Sequence, residues 1–306
     1  MFTYRKLVRK PSIFRSFTGL EISEFDSLYE KVETKHDEYE RKRLSLRKRK
    51  RELGAGRPFK LNLKDRLLML LVYYRLYVTF TLEGFLFDLD QSSIYRDVRI
   101  LEPLVKECIP LPQKVYAMAR RARTLEEVEK YFPGFRAFID ATEQEIPRPE
   151  NKRRRKSFYS GKRKRHTAKT QLAVNSDGFI VHKTDHVRGR KHDYALYKEE
   201  HPIFPKEVNQ IFDLGYKGIK NDFPGLNCTL PFKRAKGQKE LPKEEKRFNR
   251  KLSRLRVVVE HTISRVKKFQ IMGQEFRNRL KHYDLMTDIV SGLVNLRIIG
   301  NKAILP

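Results

Sequence analysis

The sequence is poor in cysteine, and it has no long apolar run. Its two cysteines, Cys108 and Cys228, are too few for a disulfide framework or a cysteine-based zinc cluster. No apolar stretch is long enough to span a bilayer, and the basic N-terminal residues lack the apolar core of a signal peptide. These absences favour a reducing, intracellular compartment over an integral membrane protein.

Acidic residues are also scarce relative to basic ones. Among 306 residues there are 67 Lys+Arg against 38 Asp+Glu, which gives a formal net charge of +29. Such a field attracts polyanions, and nucleic acid is the leading partner. An anionic membrane surface is the alternative, but the basic runs are not paired with an exposed apolar helix face. A hydrophobic content of 39% predicts a folded chain, and its length predicts two domains.

Residues 1–60 are predicted to be a basic, helical N-terminal region. Glu21 to Leu53 predicts a helix with an apolar edge at its start, while the stretch from Arg41 to Arg51 is almost wholly basic. This end is either a solvated helix terminus or a surface that contacts the DNA backbone, and the net charge favours the second. Gly54 to Pro58 predicts a linker.

Residues 61–108 predict three helices joined by tight turns. Asn62 is expected to cap the first helix and Thr81 the second, which would hold Phe85 and Leu86 inside. The third helix is predicted to expose a polar and basic start formed by Gln91, Ser92, Ser93, Tyr95, Arg96 and Arg99. A plain three-helix bundle is the alternative, but these side chains can donate to phosphates and base edges and so favour a helix-turn-helix.

After a predicted connector at residues 109–133, residues 134–300 change in character. Short apolar strands are predicted at 137–143, 169–175, 179–187, 210–213 and 228–232, with helices at 193–201, 252–269 and 281–299. A dense basic run at 151–165 is predicted to be a long loop. This order of elements predicts a mixed α/β fold, a mixed sheet with helices on its faces.

Three carboxylates from three separate elements are candidates for a metal site. Asp140 and Asp213 each end a short apolar strand, and Glu260 lies on a helix that can pack across the same sheet edge. Oxygen ligands of this kind suit Mg²⁺ or Mn²⁺, and two such ions can clamp the attacking and leaving oxygens of a phosphoryl transfer. Asp193 competes with Asp213 for the second position, although a helix-capping role is the simpler interpretation.

The helix around Glu260 carries a second pattern beside its apolar stripe. The predicted stripe consists of Leu252, Leu255, Val259, Val266 and Phe269. Arg256, Glu260 and Lys267 are spaced by four and seven residues, so they project from nearly one side. That side is either a solvated face with helical ion pairs or a metal ligand between phosphate-binding cations.

Four segments of the chain resemble DDE transposases of bacterial and archaeal insertion sequences. They are residues 138–143, residues 159–171, residues 212–216, and the set formed by Arg256, Glu260 and Lys267 with its spacing of three and six intervening residues. The unit at 61–108 resembles the helix-turn-helix of that family, and the resemblance covers about residues 20–300. It implies a ribonuclease H-like catalytic domain in residues 134–300.

The resemblance implies that Asp140, Asp213 and Glu260 hold two Mg²⁺ or Mn²⁺ ions, with Arg256 and Lys267 as the accompanying cations. Together with the basic composition, it predicts DNA contacts from Lys162, Arg163, Lys164, Arg165, Ser92, Ser93, Arg96 and Arg99. The family often has a Tyr where this chain has Ser253, which leaves the metal triad untouched and removes any step that the tyrosine would perform.

The implied function is that of an insertion-sequence transposase. Such an enzyme binds terminal inverted repeats of double-stranded DNA, cuts a strand and joins it to target DNA. Two ends must meet in one event, so a homodimer or larger assembly is expected, acting at the nucleoid in the cytoplasm of a prokaryote. The alternatives are a structure-specific nuclease on the same fold and a non-catalytic DNA-binding protein derived from a transposase.

Overall fold

The computed structural model of the protein describes residues 1–46, 52, 58–235, 237–238 and 240–300. The basic residues 47–51 and most of the predicted linker at 54–58 therefore lie outside the described part. Within that part, no helix combines the length and the apolar character needed to cross a bilayer.

The N-terminal region is helical, as predicted. Its helices are α1 (Tyr4–Leu7), α2 (Pro11–Thr18) and α3 (Ile22–Ser45). The apolar edge of α3 faces the core, since Phe25, Leu28 and Val32 are fully buried. The ring of Tyr4 stacks on Phe25 with centroids 5.3 Å apart, which fixes α1 against α3.

Three helices follow with the predicted helix-turn-helix order: α4 (Leu63–Leu76), α5 (Phe80–Phe87) and α6 (Gln91–Cys108). The Asn62 side chain caps α4 by accepting from the backbone N–H of Asp65 at 2.8 Å, as expected. The predicted cap of α5 is wrong, because Thr79 and not Thr81 accepts from the backbone N–H of Leu82. The prediction that Phe85 faces inward is also wrong: Phe85 is 82% exposed.

The predicted connector contains two helices, α7 (Pro112–Ala119) and α8 (Leu125–Tyr131). Thr124 caps α8 in a reciprocal capping box with Glu127, as its sequence position suggested.

The C-terminal half is built on a mixed sheet, which confirms the predicted fold class. Its strands are β1 (Arg136–Glu145), β2 (Tyr159–Ser160), β3 (Arg165–Asn175), β4 (Ile180–Lys183), β5 (Val187–Arg188), β6 (Asn209–Ile211) and β7 (Cys228–Thr229). Strand β3 pairs antiparallel with β1, β2, β4 and β5, while β6 runs parallel to β1 and to β7. The strand predicted at 179–187 is thus two strands, and Asp185 lies between them rather than mid-strand.

Helices complete the domain: α9 (Lys152–Phe158), α10 (Asp193–Glu200), α11 (Ile219–Asp222), α12 (Lys243–Lys267), α13 (Gln270–Gly273) and α14 (Tyr283–Gly300). Helix α9 falls inside the predicted long loop, where Asn151 caps its first turn by accepting from the backbone N–H of Arg154. The stripe of α12 is buried as predicted except at Leu255, which lies at its edge and is 39% exposed.

The helix-turn-helix packs directly on the catalytic half. Helix α4 contacts α13, and α6 contacts α14. Asn278, in the segment between α13 and α14, donates from Nδ2 to the hydroxyls of Tyr73 and Tyr77 at 3.0 Å and accepts from Arg99 at 3.1 Å. These hydrogen bonds join α4 and α6, the predicted DNA-reading helix, to the segment between α13 and α14.

Candidate active site

The register of the sheet brings two of the predicted carboxylates together. In the parallel pair of β1 and β6, Phe138 lies opposite Ile211. Two residues further along each strand come Asp140 and Asp213, so the two aspartates lie side by side where β6 ends. The Asp213 side chain accepts from the backbone N–H of Gly215 at 2.7 Å, which holds the turn after β6 in place.

Asp140 sits in an environment that disfavours its charged form. The pKa of Asp140 is raised to about 6, chiefly by burial and in smaller part by the negative charges of Asp213 and Asp193, while the hydrogen bond from Ala141 and the charge of Arg256 oppose the rise. The nearest cation is distant for an ion pair, since Arg256 Nη2 lies 3.9 Å from the Asp140 carboxylate. Asp193 is paired with Lys169 at 2.7 Å, so Asp140 and Asp213 are the two neighbouring carboxylates of the described residues without a close counter-ion, and together they attract cations.

Glu260 lies on α12 between two cations that contact β1, and it has no partner of its own among the described residues. Its side chain is exposed and makes no hydrogen bond or ion pair with the described residues. Arg256, one turn earlier, reaches Asp140, and Lys267, two turns later, lies 3.4 Å from the backbone carbonyl of Glu143. Burial lowers the pKa of Lys267, with a further contribution from the charge of Arg163. The predicted side of α12 thus faces the carboxyl end of β1.

A buried lysine links two further carboxylates beside the site, and the sequence interpretation missed it. Lys169 on β3 lies across from Glu143 on β1, and its ammonium is 3.4 Å from that carboxylate and 2.7 Å from Asp193. The signal was present in the sequence, because a lysine inside a buried apolar strand needs an acidic partner. The expected capping role of Asp193 is wrong, because His192 occupies the N-cap position of α10 and Asp193 is its first helical residue.

The predicted DNA contacts divide into exposed and internal residues. Lys162, Arg163 and Lys164 are exposed on the turn between β2 and β3, and Arg165 is exposed at the start of β3, where it lies 2.8 Å from Glu145. Ser92 and Arg96 are exposed at the start of α6, and Ser93 is half-buried. Arg99 was expected to face outward with them, and this is wrong. Its side chain is only 17% exposed and lies 2.9 Å from the buried carboxylate of Glu102. It serves the contact between α6 and the catalytic half.

Comparison with known proteins agrees with this geometry. Residues 139–295 match the family model described as DDE superfamily endonuclease, and residues 59–111 match the helix-turn-helix of DDE superfamily endonuclease. The chain belongs to the DDE superfamily of endonucleases. The predicted resemblance to DDE transposases is confirmed.

A relative of this DDE endonuclease is the probable transposase for insertion sequence element IS702 of Microchaete diplosiphon. It is 33% identical over 253 residues, which cover 81% of this chain and 86% of the relative. No solved structure matches the chain. In this DDE endonuclease Ser253 is exposed on α12, one turn before Arg256, at the position where the resemblance leads one to expect a tyrosine.

The donor set of this DDE endonuclease suits a hard divalent cation, as its family generally uses. Asp140, Asp213 and Glu260 offer only carboxylate oxygens, the ligands that Mg²⁺ and Mn²⁺ prefer. A bound cation would also offset the repulsion that raises the pKa of Asp140 beyond the effect of its burial. The described residues contain no group of three or more Asp, Glu, His or Cys side chains close enough to form a metal site. The aspartates are neighbours, and the Glu260 side chain has to turn towards them to complete a site.

Proposed function

We propose that this endonuclease is the transposase of an insertion sequence, which cuts DNA at the ends of its element and joins them to a target. The observation that carries the proposal is the neighbouring pair Asp140 and Asp213, whose only ion pair among the described residues is the 3.9 Å contact of Asp140 with Arg256. The 33% identity to a probable transposase across most of both chains supports the same activity.

Asp140, Asp213 and Glu260 are the proposed metal ligands, with Mg²⁺ or Mn²⁺ as the ion. Two ions held there would supply Lewis-acid activation of the water and of the scissile phosphate. Arg256 and Lys267 flank Glu260 on the same side of α12, so they can hold the phosphates next to the cut. The buried Val259 and Val266 hold the backbone of α12 against the sheet.

The helix-turn-helix supplies recognition of the element ends in this proposal. The exposed Ser92 and Arg96, with Ser93, lie at the N-terminal end of α6, the part of such a helix that reads base edges in the major groove. The exposed turn adds Lys162, Arg163 and Lys164 as cations for the DNA backbone, and Arg165 beside it could contribute only in exchange for its ion pair with Glu145. Two ends must be joined in one event, so we expect a homodimer or larger, working at the nucleoid in a prokaryotic cytoplasm.

The decisive experiment is strand cleavage and joining with labelled DNA from either side of the gene. Wild-type protein with Mg²⁺ should nick the DNA at a repeat end and then give joined product, while chelator or the Asp140→Asn variant should remove both. Binding of end DNA should stay nearly unchanged in the variant, because Asp140 is not part of the helix-turn-helix. Cutting without joining would indicate a structure-specific nuclease, and binding without cutting a DNA-binding relative.

Asp213 and Asp193 are distinguished by the same assay. Both influence Asp140, but only Asp213 lies next to it in the strand register, while Asp193 is engaged by Lys169. Asp213→Asn should abolish cleavage. Full cleavage by that variant, together with loss of cleavage in Asp193→Asn, would transfer the metal-binding role to Asp193.

A further inference from the structure

A basic groove lies on the face of the β1–β3 ladder that points away from α12. Gln144 points to the face that α12 covers, since its amide donates to the backbone carbonyls of Ile271 and Gln274, which directly follow α12 in the chain. Neighbouring side chains of a strand point to opposite faces, so Glu143 points the other way, towards Lys169. There a groove of about 970 Å³ opens, and Glu143, Lys169 and Asp193 form part of its lining.

The walls of this groove are held in place by the fold. One wall is α9, which the buried Phe158 anchors to the core. The other is the loop 189–192, which lies so close to β3 that a Cβ at Gly189 would be 1.9 Å from Thr167 Oγ1. The backbone N–H of Gly189 donates to the Thr167 carbonyl at 2.8 Å, and that of Arg190 donates to the Ser157 carbonyl at 3.4 Å. The groove is therefore a built feature rather than a gap between mobile segments.

Much of the positive charge of the groove is not neutralised by acidic side chains among the described residues. The two carboxylates of the described lining, Glu143 and Asp193, are both engaged by Lys169. Five cations of the lining make no side-chain hydrogen bond or ion pair within the described residues: Arg148, Lys152, Lys156, Lys162 and Arg190. Unpaired cations along a fixed groove fit the phosphates of a nucleic-acid backbone, whereas a small apolar ligand needs an apolar lining.

The position of the groove indicates which DNA it serves. The helix-turn-helix packs on α13 and α14, so DNA held by α6 reaches the site from the α12 side. The groove opens on the opposite face. Its Asp193 is still close to the site, because the charge of Asp193 adds to the effects of burial and of Asp213 that raise the pKa of Asp140. Strand transfer requires a second DNA at the same carboxylates.

We propose that the groove between α9 and the loop 189–192 binds the backbone of the target DNA without reading its sequence. The inference rests on the proposed transposase function. In this proposal the cations named above contact phosphates, which carry no sequence information. The groove therefore sets the affinity for any target and leaves the recognition of element ends to α6.

The first test measures binding of a labelled duplex of unrelated sequence, by fluorescence anisotropy in chelator over a range of salt concentrations. The triple variant Lys152→Gln, Lys156→Gln and Arg190→Gln removes three of the unpaired cations. Each lost phosphate contact lowers the slope of log K against log salt by about 0.9, so we expect a slope smaller by about 2 to 3. The matched control replaces the exposed Lys10, Lys130 and Lys206 by Gln, and its slope should stay near the wild-type value.

The second test supplies pre-cut element ends and plasmid target with Mg²⁺. Joining by the groove variant should fall by about tenfold or more, while cleavage of uncut ends stays near the wild-type rate. A salt slope equal to that of the control variant would overturn the groove as a DNA site. If cleavage and joining fall by the same factor, the assignment to target DNA is wrong, and the groove binds the element end instead.

A failure of the proposed function gives a different result. Wild-type protein that neither cuts nor joins would refute the transposase and the target assignment with it. The slope measured without metal would then still show whether the groove contacts DNA.

Discussion

Replacing Asp140 by Asn should make the metal-free protein more stable while it abolishes catalysis. The side chain of Asp140 is 21% exposed, and its pKa is raised from 3.8 to about 6, chiefly by burial. A carboxylate with a raised pKa binds its proton more tightly in the folded state than in the unfolded state. Its ionisation therefore removes stability as the pH rises from about 4 to about 6, and above that the loss is complete.

The size of the effect follows from that pKa. A tenfold change in proton affinity corresponds to about 1.36 kcal/mol, so the difference between 3.8 and about 6 costs the folded protein about 3 kcal/mol at pH 8. Asn avoids this cost, and its Oδ1 can still accept from the backbone N–H of Ala141, as Asp140 does at 2.8 Å. With an unfolding entropy of about 2.1 cal/mol/K per residue over 306 residues, the gain corresponds to about 5 °C in Tm.

Thermal unfolding of both proteins in chelator, at pH 4 and at pH 8, measures this difference. The two curves should nearly coincide at pH 4 and separate at pH 8, with the variant higher. Added Mg²⁺ should raise the Tm of the wild type alone, because a ligand that binds only the folded state stabilises it. Asp37→Asn, at a side chain that is 89% exposed, should behave like the wild type at both pH values and in its response to Mg²⁺. A variant less stable than the wild type at pH 8 would refute the electrostatic account of the site.

Three further substitutions test the surroundings of the site. Lys169→Met leaves Glu143 and Asp193 without their shared counter-ion and should cost about 3–5 kcal/mol in urea unfolding, whereas Lys162→Met on the exposed turn should cost little. Gly189→Ala places a methyl group against Thr167 and should lower the unfolding free energy by about 1–3 kcal/mol, while Gly161→Ala, which meets nothing within 4 Å, should be nearly neutral. Asn278→Ala removes hydrogen bonds to Tyr73, Tyr77 and Arg99 and should lower the unfolding free energy by about 2 kcal/mol; an unchanged value would show that these bonds do not stabilise the contact between α6 and the catalytic half.

Local patterns in the sequence were sufficient where one element determines the outcome. The capping residue Asn62 and the buried edge of α3 depend on neighbours a few residues away, and they were predicted from them. The start of α5 was misplaced because Thr79 and Thr81 are both able to cap, and choosing Thr81 turned Phe85 towards the core in the prediction. Tertiary packing decides between such equivalent caps.

The contacts of the site itself depend on residues far apart in the chain. Asp140 and Asp213 are neighbours because of the register between β1 and β6. No spacing in the sequence encodes that register. The pairing of Lys169 with Glu143 and Asp193 likewise joins three elements. A buried lysine predicts that an acidic partner exists, but only the fold identifies which one.

The position of Arg99 explains how recognition and chemistry are kept in a fixed relation. Arg99 forms an ion pair with Glu102 and donates to Asn278. If Arg99 bound DNA instead, Glu102, which is 1% exposed, would lose its counter-ion and keep the hydrogen bond from the Tyr74 hydroxyl. The same Asn278 belongs to the segment whose Phe276 donates its backbone N–H to the carbonyl of Glu145 at the end of β1. A hydrogen-bonded path therefore runs from α6 to the strand that carries Asp140. Under the proposed function, this path sets the distance between DNA read by α6 and the carboxylates, so we expect a defined cutting position relative to the recognised sequence.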